Sequence, residues 1–233
     1  MRTDNVLLTL MNPSDRSLLI DVSEVVELPY RQKLEEPHRR PPYVYFMESG
    51  MASLMYLGAG DYVSEVALVG REGCTGCGAI LGIDRAPQGT SMQVAGKARR
   101  IETGRFMRAL DDSRELHRFL LRFVHTQTVQ RDETTLAASR GKILHRLARW
   151  LLMVQDRLSS DDLPLTHEVI AFMLSVRRAG VTATLGDLHT RGLIDLNRGN
   201  IQVRNRDGLK QIAGVFYGAT EAEFERVIGK MPA

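Results

Sequence analysis

The sequence predicts an α+β protein: an antiparallel, jelly-roll-like β-roll in the N-terminal part, then a long helix, then a small helical domain closed by a hairpin. Three observations predict it. Between residues 20 and 110, Gly and Pro recur at short intervals with β-prone runs between them. From Phe106 to Leu136 there is neither Gly nor Pro. Residues 163–205, LPLTHEVIAFMLSVRRAGVTATLGDLHTRGLIDLNRGNIQVRN, hold two short amphipathic segments and then an arginine-tipped turn.

The strands come first. The runs YVYFM, ASLMYL, YVSEVALV, TSMQVAG and ARRIE are separated by turn residues such as Gly50, Gly58 to Gly60, Gly70 to Gly78, and Gly89. Short strands at this spacing, with no long helical pattern among them, read as an antiparallel roll over 1–110. Residues 111–138 are assigned to the long helix. Leu116, Phe119, Leu120, Phe123 and Val124 step by three, one, three and one, which is one helical face. Such a stripe usually packs a helix on its own domain; one this long could instead bury most of a contact with a second copy of the chain.

A C-terminal domain is assigned to 139–233. It opens on GKILHRLARWLLMVQDRL, a helix with Ile143, Leu144, Leu147, Trp150, Leu151 and Val154 on its buried side. Arg146, Arg149 and Asp156 are expected in solvent. Ser159 to Asp162 form a polar linker. Thr166 then stands where an N-cap is wanted. Val169, Ile170, Met173 and Leu174 give a short helix with small Ala171 where a second helix must cross. Ser175 falls at the turn, and Val176 plugs the space behind it. Arg177 and Arg178 open the second helix, anchored by Val181, Leu185 and Leu188. LIDLN and NIQVRN around Arg198-Gly199 make a hairpin, so the arrangement is a winged helix-turn-helix.

Composition sets the outer bounds. The chain has 233 residues, 43% apolar and 25% charged, enough for two modest domains or one large one. No apolar run approaches the roughly 20 residues of a membrane helix. The N-terminus MRTDNVLLTLMNPSDR carries charges where a signal peptide is apolar. A cytoplasmic protein is expected, with no membrane partner. Residues 140–233 hold 14 Lys and Arg against 10 Asp and Glu, while residues 1–139 hold 17 against 18. The basic part coincides with the helix-turn-helix and points to a polyanion.

These features resemble the Crp/Fnr family of bacterial transcription regulators over nearly the whole chain. LTHEVIAFMLSVRRAGVTATLGDL with its wing is the most specific part; YVYFMESGMASLM looks like the family's strand–Gly–strand hairpin. The resemblance implies a homodimeric DNA-binding regulator with a cyclic-nucleotide-binding-like sensor domain, and no enzyme. Its partners would be double-stranded DNA, a second copy and, for an activator, RNA polymerase. The DNA-contacting residues would be Thr166, His167, Arg177, Arg178, Thr182 and Arg198, with Arg178 reading a base. Ala179 stands where many members have Glu, and Ala183 where another base-reading Arg falls. The half-site should differ accordingly.

The same resemblance puts Gly76-Cys77 where cyclic-nucleotide binders have Gly-Glu for the ribose, and Thr90 and Ser91 in the phosphate segment. That segment, PQGTSMQV, lacks arginine. A buried phosphate needs a cation, so the pocket (Gly76, Cys77, Thr90, Ser91) is read as degenerate and its effector as something other than a cyclic nucleotide. Arg85 lies near in sequence, on the far side of Pro87.

Cys74 and Cys77 form a C-x-x-C. Two cysteines are too few for a four-cysteine iron–sulfur cluster or a zinc site, and His38 and His125 have no spacing that completes one. No cofactor or metal is expected. The pair is set between glycines rather than on a dependable helix, so small residues in a tight turn are the preferred reading. A thiol-based redox protein and a ligand-binding module that no longer reads DNA are the alternatives.

Overall fold

A computed structural model describes residues 3–58 and 63–230. The chain divides into two units, Met1–Val129 with Thr220–Ala233, and Gln130–Ala219.

The first unit opens with two short helices, α1 (Val6–Leu10) and α2 (Pro13–Ile20). Asn5 and Asn12 cap them, each side chain accepting from the amide three residues on. The strands β1 (Glu24–Leu28), β2 (Lys33–Glu35), β3 (Tyr43–Met47), β4 (Met51–Leu57) and β5 (Val63–Val69) follow. After a one-turn helix α3 (Cys77–Ile80) come β6 (Gln88–Val94) and β7 (Gly96–Glu102). They pair antiparallel in two sheets, ordered β1-β7-β3 and β2-β6-β4-β5. This is the expected roll. The five expected runs fall on β3 to β7; Ala59, Gly60 and Tyr62, part of one expected turn and strand, lie outside the described residues. β1 and β2 are sheet edges, short and charged, which is why apolar runs did not reveal them.

The glycine-free stretch is two helices, not one: α4 (Thr103–Asp112) and α5 (Arg114–Arg140). Ser113 between them is extended, at φ −132° and ψ 105°. Its hydroxyl accepts from the Leu116 amide at 3.1 Å and donates to Asp15 at 2.7 Å, so it caps α5 and ties it to α2.

Of the two readings of the α5 stripe, packing on its own domain is the one the structure shows, not burial against a second copy. Leu116, Phe119, Leu120 and Phe123 lie in the core of the first unit, with Phe46, Phe106, Leu7 and Met92. Leu116, Leu120 and Phe123 are wholly buried there. A stripe that covers its own β-roll is not available to a second copy. On α5 the exposed large apolar residues are Leu121 and Leu136.

The second unit holds the rest of α5, then α6 (Ile143–Leu158), β8 (Asp162–Leu163), α7 (His167–Met173) and α8 (Arg178–Thr190). β9 (Ile194–Asn197), β10 (Asn200–Val203) and α9 (Arg206–Ala213) follow, then a 3₁₀ turn at Gly214–Phe216. Its small sheet is ordered β8-β10-β9 and antiparallel. α6 is the central helix, buried on all sides from Leu147 to Gln155. The last helix, α10 (Ala219–Val227), begins in this unit and continues in the first.

Against the expectation that Arg146, Arg149 and Asp156 are solvated, Arg149 is buried and the other two are half-buried with internal partners. Arg149 is 4% exposed and donates to Thr134 Oγ1 at 3.2 Å and to the Gln130 carbonyl at 3.4 Å. Asp156 accepts from Arg206 at 2.6 Å and from the Tyr217 hydroxyl at 2.7 Å, pinning α9 to α6. Burial is the largest single influence and lowers the Arg206 pKa, but the charges of Asp156 and Tyr217 and their hydrogen bonds together outweigh it, and the pKa is raised. A helix with no solvated face gives its polar residues no choice but internal partners.

Candidate nucleic-acid interface

The interface is built from short-range rules. Thr166 Oγ1 accepts from the Val169 amide at 3.2 Å and caps α7. Ile170, Ala171 and Met173 are buried beneath it. The chain then turns at Ser175, which is left-handed at φ +51°. The Val176 amide closes the turn on the Ala171 carbonyl at 3.0 Å, so small Ala171 sits where the second helix passes. Arg177 takes the N-cap position of α8, and Val181, Leu185 and Leu188 are its wholly buried anchors.

α7 and α8 meet at 113°, within the range of helix-turn-helix pairs. β9 and β10 follow with the two-residue turn Arg198-Gly199, in which Gly199 adopts φ +72° that a side chain would strain. The family description "Crp-like helix-turn-helix domain" matches residues 145–212. The chain has a Crp/Fnr-type fold, with a Crp-like helix-turn-helix domain.

Solved structures agree with this at the level of fold. The chain is similar to FixK2 from Bradyrhizobium japonicum, with a TM-score of 0.69 and 17% identity over 83% of this chain and 98% of that one. It is similar to a Crp-family transcriptional regulator from Thermus thermophilus, with a TM-score of 0.65 and 21% identity over 81% and 96% of the two chains. A third is the c-di-GMP-responsive global regulator CLP from Xanthomonas campestris, with a TM-score of 0.65 and 14% identity over 82% and 99%. No curated protein matches the chain.

Within the Crp-like domain, Arg177, Arg178, Thr182 and Arg198 are exposed, and so is Thr166. His167, half-buried, places Nδ1 2.9 Å from the Thr182 hydroxyl. Arg178 and Thr182 are one turn apart on the same face of α8, so Arg178, Thr182 and His167 converge at the start of that helix. Ala179 and Ala183 are exposed beside them and leave the face shallow. Gly180 has a packing reason: a Cβ there would meet Ile143 Cδ1 at 3.2 Å, so glycine lets α8 close on α6.

One residue that matters here was not expected. Arg146 of α6 donates to the Leu174 carbonyl, an acceptor left over at the C-terminal cap of α7. Burial lowers the pKa of this guanidinium. It holds the turn from behind. A signal existed in the sequence: ARWLLMV leaves little solvated surface for the arginines near the start of α6.

Of the β-roll residues singled out earlier, Gly76 and Thr90 are joined through Glu35, whereas Gly76 and Cys77 are not among the residues lining the cleft that holds Thr90 and Ser91. Gly76 is left-handed at φ +82°, and a Cβ there would lie 2.6 Å from Val44 Cγ2. Its amide donates to Glu35 Oε1 at 3.0 Å, and the Thr90 hydroxyl donates to Glu35 Oε2. Glu35 thus clasps both halves of the expected pocket. Thr90 and Ser91 line a cleft of about 210 Å³ with Lys33, Glu35, Glu36 and Pro37 among its walls. Arg85 does not line it; it is exposed and paired with Asp84 at 3.0 Å.

Cys77 is the first residue of α3, a single turn of four residues entered from Gly76, as short as the flanking glycines led one to expect. Both cysteines are free thiols, and burial pushes the Cys74 pKa well above its ordinary value. A thiol held protonated is a poor nucleophile. Among the described residues, no three His, Cys, Asp or Glu side chains are placed to hold a metal ion, and no single helix is long and apolar enough to cross a membrane.

Proposed function

We propose that this protein is a sequence-specific DNA-binding transcription regulator that acts as a homodimer on a near-palindromic site. Its β-roll serves as a sensor-like domain (1–110), the side of the long helix (111–138) turned away from the roll joins two copies, and the C-terminal part reads DNA. The observation that carries the reading is the helix-turn-helix of α7 and α8 with exposed arginines at the start of the second helix. Amides and cations at helix N-termini suit phosphate. Thr166 and His167 hold the backbone, Arg177 a phosphate, and Arg178 and Thr182 reach the major groove. Arg198 at the wing tip meets the flanking backbone. Two such helices on a two-fold axis enter successive major grooves. RNA polymerase is the further partner if the protein activates.

The sensor takes no cyclic nucleotide in this reading. The reason is Glu35, a carboxylate standing against the Gly76 amide and Thr90 hydroxyl. An anionic phosphate would be repelled there and would find only Lys33 as a cation among the cleft-lining residues.

Gel-shift titration against the protein's own upstream region, at two salt concentrations, tests the regulator reading. Specific retardation should weaken steeply with salt. Arg177→Ala with Arg178→Ala should abolish it; unchanged retardation refutes the assignment.

A further inference from the structure

We infer that α10 is a latch, which returns the chain to the β-roll unit after the DNA-binding unit and so couples the two. The inference uses the DNA-binding reading for one of its two readouts.

The chain enters the second unit within α5 and leaves it at Ala219, the first residue of α10. Both crossings therefore fall inside helices. Ala219 is held in the second unit: its amide donates to Glu133 Oε1 at 3.0 Å. Glu133 is buried and lies 3.9 Å from Arg149 of α6. From Thr220 onward the helix belongs to the first unit. Phe224 is 5% exposed and sits in the same apolar core as Phe106 and Phe123, with Ile228 packed against that core. At Gly229 the Leu10 side chain stands 3.3 Å from where a Cβ would be, so the backbone closes on α1. On the solvent side, Glu223 Oε1 lies 2.6 Å from His125 Nε2 of α5.

Phe224, Ile228 and the His125–Glu223 pair dock a helix of nine residues with Thr220 buried near its start. Such contacts open at far lower cost than a whole domain. A DNA-binding unit attached at one end can reorient about a single joint; attached at both ends, it is restrained until the second attachment opens. Docking of α10 and DNA binding are then linked, and the linkage is reciprocal.

Phe224→Ala in the full chain tests this, with Phe224→Leu as the conservative control. Hydrogen exchange at residues 220–228 reads the latch, and fluorescence anisotropy on a duplex selected by the wild type reads DNA binding. Phe224→Ala should speed exchange across α10 and change DNA affinity at least fivefold, and Phe224→Leu should restore most of both. Released exchange with affinity within twofold of wild type overturns the latch. If the wild type selects no duplex, the regulator reading fails and calorimetry decides the latch. A single unfolding transition in the wild type should split in Phe224→Ala; the same transitions in both proteins overturn it. Should Phe224→Ala not fold, His125→Gln with Glu223→Gln takes its place under the same criteria.

Discussion

His167, the first residue of α7, places Nδ1 2.9 Å from Oγ1 of Thr182 in the second turn of α8. The contact joins the two helices of the turn at the edge where DNA would lie. It fixes how far the start of one helix stands from the start of the other. Because Thr182 is exposed and His167 only half-buried, the contact orients more than it stabilises. His167→Ala and Thr182→Ala should each leave stability within about 0.5 kcal/mol while weakening DNA binding. Their double-mutant cycle should show a coupling of about 0.5–1 kcal/mol in affinity, measured by anisotropy beside thermal melts.

Arg178 and Arg198 should fail in different ways. Arg178→Ala is expected to cost about 1–3 kcal/mol of affinity and to relax selectivity at one base pair. Arg198→Ala should weaken binding to all sequences alike and reduce the slope of log affinity against log salt by about 1. Binding-site selection with each variant separates them.

Arg146→Met keeps the aliphatic bulk and removes the donor to the Leu174 carbonyl. Leaving that acceptor unpaired should lower stability by about 1–3 kcal/mol, read in urea titrations. DNA affinity should fall as well, though Arg146 lies behind the turn.

Glu35→Ala leaves the Gly76 amide and the Thr90 hydroxyl without their shared acceptor. The β-roll should lose about 1–3 kcal/mol. Titration calorimetry of the wild type with cyclic AMP should show no heat of binding. Saturable heat at micromolar ligand would remove Glu35 as the blocking group.

The pairs that Glu223 makes, within α10 and across to α5, should make stability acid-sensitive. Hydrogen bonds from Arg226 and then His125 lower the Glu223 pKa from 4.5 to about 2. A carboxylate depressed in the folded state contributes stability that is present above its unfolded pKa and lost as the folded pKa is approached. Between pH 4.5 and 2 the wild type should therefore lose melting temperature faster than Glu223→Gln. Above pH 5 the two profiles should run parallel.

Much of the interface was legible because its causes are local. Thr166 caps an amide three residues on, Ser175 turns the chain in one residue, and Gly199 permits a two-residue hairpin. Each step involves neighbours that a reader of the sequence has in view. Arg146 was not legible in the same way, because its acceptor lies 28 residues ahead on another helix. Ser113 was overlooked as a helix start because no Gly or Pro marks it, though its hydroxyl performs an ordinary cap.

By itself the sequence determined five strands of the antiparallel roll, the helical stretch after them, and the helix-turn-helix with its wing, since turn residues and apolar period act through chain neighbours. The tertiary structure decided what covers each apolar face and what fills each polar pocket. The stripe on α5 was visible as a stripe, but periodicity marks a buried face without naming its cover, and here the cover is the chain's own β-roll. Glu35 meets Gly76 and Thr90 across 41 and 55 residues of chain, and Glu223 meets His125 across 98. Such meetings depend on the path of the whole backbone, which no local pattern encodes.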